Sequence, residues 1–163
     1  MEGRSCGQCE ACCFVMGIFE TESAPFQFCK YQLSLHDMGG GCIGYANRPS
    51  ECRNYRCGFL DPEEWPELSG GDQPDFRGIV FDHQEGDFGP TCSAREVWPG
   101  ASLVGRAREL IKQIGARIPI YVVPYGSWKV GRTFCPPHRV DEIRALYILK
   151  GQDPDLCTAI EAT

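Results

Sequence analysis

The chain has 163 residues, 42% hydrophobic and 23% charged, with a formal net charge of −6; that suits one hydrophobic core and excludes a disordered or membrane-embedded chain. The acidic balance argues against broad binding to a phosphate backbone, which needs a basic surface. The longest apolar runs, in ARIPIYVVPY, fall far short of a membrane span, and the opening MEGRSCGQCEACC has no apolar h-region, so a cytoplasmic location is expected.

Eight of the eleven cysteines (Cys6, Cys9, Cys12, Cys13, Cys29, Cys42, Cys52 and Cys57) fall in the first 57 residues. That segment is rich in glycine, as in HDMGGGC, and its apolar residues keep no sustained period. It reads as loops and short turns held by something other than a core, and metal–thiolate bonds are the obvious substitute. From 58 to 78 the composition predicts a loop with one turn of helix at PEEWPEL. GIVFD at 78–82 and TCSAREVW at 91–98 read as strands, with DHQEGDFGP as the turn between them. PGASLVGRARELIKQIG predicts a helix that places Leu103, Ala107, Leu110, Ile111 and Ile114 on one face and stops at Gly115. IPIYVVPYG is an apolar strand, and WKVGRTF its hairpin partner after the Tyr125-Gly126-Ser127 turn. PPHRVDEIRALYILKG predicts a second helix with a stripe of Val140, Ile143, Leu146, Tyr147 and Leu149, stopped at Gly151. DPDLCTAIEAT adds a short terminal helix. The expected fold is α+β: a cysteine-rich, loop-dominated metal-binding half (1–60) packed on a small α/β unit (61–163) with a short sheet and two main helices, together one compact domain.

Three explanations compete for the cysteines. Structural disulfides are the weaker one without export, and an odd count leaves at least one thiol unpaired. A C-x₂-C turn brings two sulfurs within reach of one metal. The front chain supplies C-x₂-C-x₂-C-C, then single cysteines after gaps of 15, 12, 9 and 4 residues. The side chains of adjacent Cys12 and Cys13 diverge, so they suit two different metals, or one of them bridges. Eight thiolates then count as two four-thiolate sites, for zinc or iron, with the partition of ligands open. An iron–sulfur cluster on Cys6, Cys9, Cys12 and a remote thiol is the alternative, although the ferredoxin pattern continues C-x₃-C-P and this chain does not. Cys92, Cys135 and Cys157 read as isolated, buried small hydrophobes.

In family terms, Cys6, Cys9, Cys12 and Cys13, then Cys29 followed by Lys30 and Tyr31, then CIGYANRPSECRNYRC from Cys42 to Cys57, resemble the YkgJ-type cysteine-cluster family, described as zinc- or iron-chelating. The block matches through Tyr45, Arg48, Pro49, Cys52, Arg53 and Tyr55, with Ile43 and Gly44 between Cys42 and the tyrosine and glycine where the pattern has isoleucine. The resemblance covers about a third of the chain. It implies metal binding through these eight cysteines and no particular reaction or substrate.

Arg48, Arg53 and Arg56 crowd the block and would offset thiolate charge; Pro49 fixes a turn that aims Cys52 inward. His36, His83 and His138 form no H-x₃-H or H-E-x₂-H arrangement. His83 could join Asp82 and Glu85 in a pocket, but a surface turn explains it as well. No phosphate loop or G-x-S-x-G elbow is present. Trp98, Tyr125 and Trp128 read as core, with an aromatic groove as the alternative. The leading expectation is a closed, structural zinc module offering a surface to an unknown protein partner or small molecule. Its rivals are an iron or iron–sulfur redox protein, enzyme or maturation accessory, and a metal carrier.

Overall fold

The computed structural model of the chain describes residues 4–5, 7–32, 41–86, 89–127 and 131–160. The first strand, β1 (Ile79–Gly86), pairs antiparallel with β2 (Gly89–Glu96), from Ile79↔Glu96 to Gly86↔Gly89. A helical crossover then brings β3 (Ile120–Val123) parallel to β2, the connection that parallel neighbours require. β4 (Arg132–Cys135) turns back antiparallel on β3, and β5 (Cys157–Ala159) returns parallel to β4 after a second helix. The sheet is therefore mixed and five-stranded, in the order β1-β2-β3-β4-β5.

Several boundaries differ from expectation. The expected turn at DHQEGD is strand: β1 runs on to Gly86 because its outer half pairs with β2 while its side chains face solvent. The expected terminal helix is a 3-10 turn (Pro154–Leu156) followed by β5. There the open edge of β4 offers a ladder, and pairing overrides local preference. The first long helix, α4 (Gly105–Gly115), buries Ala107, Leu110, Ile111 and Ile114 as the periodicity predicted. Leu103 is not on that stripe and is exposed, because Ala101–Leu103 form a separate 3-10 turn. The buried Glu96 carboxylate holds that turn apart by accepting from the Gly100 and Ser102 N–H groups. In α5 (Val140–Leu149) Ile143 and Tyr147 are buried, whereas Leu149, at the last helical position, is exposed. PEEWPEL forms turns around a buried Trp65. Three short helices went unforeseen: α1 (Ala11–Val15), α2 (Ser50–Asn54) and α3 (Pro74–Arg77).

Alternation sorts the sheet into two faces. Ile79, Phe81, Ala94, Ile120 and Phe134 share one face with α4 and Trp65; the Trp65 and Phe81 ring centres are 5.8 Å apart. Asp82, Ser93, Arg95, Thr133 and Cys157 share the other. At its β4–β5 end α5 packs through Tyr147, whose hydroxyl meets that of Thr133. At its β1 end lies the cysteine-rich segment. Ala11, Val15 and Cys57 belong to the same buried core as Ile79, Val80 and Leu110. Phe14 and Phe26 pack on Tyr125, with ring centres 6.0 and 5.6 Å away. Tyr125 is therefore part of the seam between the two halves, and Trp128 lies outside the described residues. No described helix is long and apolar enough to cross a membrane.

Candidate metal centre

The front segment builds a cavity of about 670 Å³ from short pieces, each placing one or two thiols. Cys9 precedes α1, which carries Cys12 and Cys13. Cys42 forms an isolated antiparallel bridge with Gln32, three residues after Cys29. Pro49 stands at the N-terminal boundary of α2, which carries Cys52. Cys57 starts the 3-10 turn Gly58–Leu60. Gly58 lies so close to Trp65 that a Cβ there would sit 2.7 Å from the indole, which fixes the path of the chain just after Cys57.

All seven described cysteines of the predicted eight line this one cavity; Cys6 lies outside the described residues, as does His36. None of the described cysteines is in a disulfide. Among the described residues no three Cys, His, Asp or Glu side chains converge closely enough to hold a metal ion. The thiols ring the cavity without meeting at a point.

Their mutual influence divides them. Burial pushes the Cys9 thiol up to about 12, and Asp75 and Cys57 add to it. The Cys12 thiol rises through its hydrogen bond with Cys13 and through burial, with Cys57 and Cys9 contributing. Burial also raises Cys42 and Cys52, which lie in the fields of Cys13 and Cys29. Cys13 alone among these is pulled down, to about 7: the hydrogen bond from Cys12 outweighs burial and Glu10, with Arg48 assisting. Cys12 and Cys13 thus act on each other, and their wider influences differ: Cys9 and Cys57 raise Cys12, whereas Cys13 and Cys29 raise Cys42 and Cys52.

Arg48, Arg53 and Arg56 all line the cavity, but their roles separate. Arg48 stacks over Tyr45 at 4.1 Å and acts on Cys13, Cys42 and Cys52. Arg53 acts on Glu20, and Arg56 donates to the Leu60 carbonyl at 2.9 Å. Three further residues bear on the site: Glu10 and Gln32 gave no sequence signal, and Tyr55 stood in the cysteine block without any sign of its burial. Glu10 accepts from the Gln32 side chain at 2.8 Å and from the Gly41 N–H, which holds the backbone near Cys29 to that before Cys42. The Gln32 side-chain Oε1 accepts from the Cys29 N–H. Among the described residues the buried Tyr55 hydroxyl has no hydrogen-bond partner; burial holds its pKa above the ordinary tyrosine range, with Asp82, Cys12 and Cys57 adding to the effect.

The donor chemistry fits a thiophilic cation. Seven thiols surround one space, while the cavity's carboxylates are engaged elsewhere, Glu10 as above and Glu51 by the Glu20 N–H. The Tyr55 hydroxyl, without a partner among the described residues, is a spare donor for charged sulfur. The remaining candidates separate from this site. Cys92, Cys135 and Cys157 are fully buried elsewhere, as expected, but only Cys92 is isolated among the described thiols, since the Cys135 and Cys157 sulfurs are 3.6 Å apart. His83 is in β1, not a turn; it pairs with Glu64 at 3.0 Å and packs on Trp65, on the face opposite Asp82. His138 lies in the 3-10 turn before α5, far along the chain from the thiols.

Compared with protein-family models, with curated proteins and with solved structures, the chain gives no match in any of the three.

Proposed function

We propose that this chain is a metal-binding protein in which Cys6, Cys9, Cys12, Cys13, Cys29, Cys42, Cys52 and Cys57 hold two ions, with zinc as the favoured metal. The observation that carries the reading is the gathering of seven of these cysteines, from five separate pieces of backbone, around one cavity. The resemblance to the YkgJ-type cysteine cluster supports it independently. The mutual influence of Cys9, Cys57 and Cys12, and that of Cys13 and Cys29 on Cys42 and Cys52, supports two centres, with Cys6 joining the first on spacing alone. Four thiolates around each ion close its coordination, which makes the centres structural and leaves the protein surface to meet a protein partner or small molecule. A reducing, cytoplasmic compartment suits so many thiols without disulfides. Ions would draw the ring of thiols inward and release their protons, so binding strengthens as pH rises.

Anaerobic purification of the native protein, followed by elemental mass spectrometry and an absorption spectrum of the same sample, tests this. About two zinc per chain and no visible bands is the expected result for paired four-thiolate centres. Iron with acid-labile sulfide and visible charge-transfer bands would replace zinc by an iron–sulfur centre and turn attention to redox chemistry. A folded protein carrying no metal defeats the proposal.

A further inference from the structure

At the opposite edge of the sheet from the cysteine cavity, Cys135 and Cys157 form a second thiol group of a different kind. Both side chains are fully enclosed, and their sulfurs lie 3.6 Å apart. The parallel register places Thr133 opposite Cys157 and Cys135 opposite Ala159, so the two cysteines are diagonal neighbours on one face. Ile143 and Tyr147 of α5 cover them. Sulfurs in van der Waals contact need a small rotation and slide to reach a disulfide bond of about 2.05 Å.

The element that carries Cys157 is short and lies at the edge of the sheet. β5 has three residues and a single neighbour, β4. Besides that short ladder it is held by the Ile160 N–H donating to the Cys135 carbonyl at 2.8 Å and by Arg144 donating to the Cys157 carbonyl at 3.0 Å. A short edge strand with so few ties belongs to the low end of the range of local opening free energies.

We propose that Cys135 and Cys157 are a redox-closing dithiol, separate from the metal centre, which low-molecular-weight disulfides of the glutathione class convert to a disulfide that staples β5 to β4. Opening of β5 carries Cys157 into solvent. Its thiolate, having lost its proton to water, attacks one sulfur of the small disulfide; a mixed disulfide forms, and the other half leaves as a thiolate that takes up a proton. When β5 closes, Cys135 loses its proton, attacks the Cys157 sulfur and expels the second small thiol. Two protein thiols are oxidised by two electrons, and one small disulfide is reduced to two thiols. In the closed state burial pushes the Cys135 thiol up to about 12, with the Cys157 thiol adding to the rise, and burial raises Cys157 as well. Thiolate is therefore scarce until the strand opens, and opening sets the rate.

The test is to incubate the anaerobically purified, metal-containing protein with oxidised glutathione, block remaining thiols, and cleave after Arg132, Arg139 and Lys150. The expected product is a disulfide-linked pair of peptides, 133–139 with 151–163, together with a melting temperature raised by about 5 °C or more. Cys135→Ser should instead trap glutathione on Cys157. Recovery of both wild-type peptides as blocked thiols, at glutathione concentrations and times that oxidise exposed model dithiols, overturns the proposal. So does a linked peptide pairing either cysteine with one from the front segment in place of its neighbour. Because the peptide map is made on the wild-type chain, the answer does not depend on a variant folding or on which metal is bound.

Discussion

Among the described residues the buried Tyr55 hydroxyl has no partner, and it feels the Cys12 and Cys57 thiols; such a group costs stability unless something charged completes it. Tyr55→Phe removes the cost and the donor together. Two opposite effects are expected: metal-free protein gains up to about 1 kcal/mol in chemical denaturation, while metal affinity in a chelator competition falls about tenfold. An unchanged affinity would remove Tyr55 from the site. The cysteines offer a second residue-scale contrast. Cys9→Ala and Cys52→Ala each take away a thiol facing the cavity and are expected to lose metal together with folded protein, by elemental analysis and circular dichroism. Cys157→Ala, outside the cavity, should keep its metal. Residues of this kind were legible unequally in the sequence. The cysteines announced themselves by spacing and Tyr55 by its place in the block, whereas the contacts of Glu10 and Gln32, and the burial of the Tyr55 hydroxyl, are encoded by no local pattern.

Among the elements, those whose own side chains settle the matter were readable and those decided by neighbours were not. The α4 periodicity was plain because Ala107, Leu110, Ile111 and Ile114 are buried on the sheet. β5 was not, because three residues become strand only when β4 presents an edge. The 3-10 turn before α4 owes its separation to Glu96, a residue two turns of chain upstream. That carboxylate is buried, which raises its pKa, yet it accepts from Ser102, Tyr125 and Gly100, and these bonds hold it below its ordinary 4.5. A folded-state value below the unfolded one means that Glu96 contributes stability in full above pH 4.5 and loses it as pH falls through the folded value. Glu96→Gln is expected to lower stability at neutral pH by about 2 kcal/mol, and to flatten the acid limb of the stability curve below pH 4.5, since the glutamine has no proton to take up. Denaturant midpoints measured from pH 7 down to pH 3 check both effects. An acid limb as steep as that of the wild type would show that other groups, Asp72 first among them, set it.

At the scale of the whole molecule, the α+β class could be read from alternating strand and helix signals, but the mixed order of the sheet could not. Whether β3 lies parallel or antiparallel to β2 depends on which edge the α4 crossover reaches, a long-range outcome. The joining of the cysteine-rich half to the sheet is the more consequential long-range feature. Ala11, Val15 and Cys57 share a core with Ile79, Val80 and Leu110; Phe14 and Phe26 close on Tyr125; and Arg4 donates to the carbonyls of Trp65 and Leu68. If metal holds the front half together, its removal withdraws the cover from β1 and cannot stay local. Chelation of the native protein is therefore expected to lower the melting temperature by about 10 °C or more, in a single transition. Slow amide exchange in β1 and β2 should weaken along with that of α1. A two-step melt in which α1 loosens while the β1–β2 amides keep their protection would mean that the sheet stands alone. The cysteine module would then be an attachment to it, with no part in its stability.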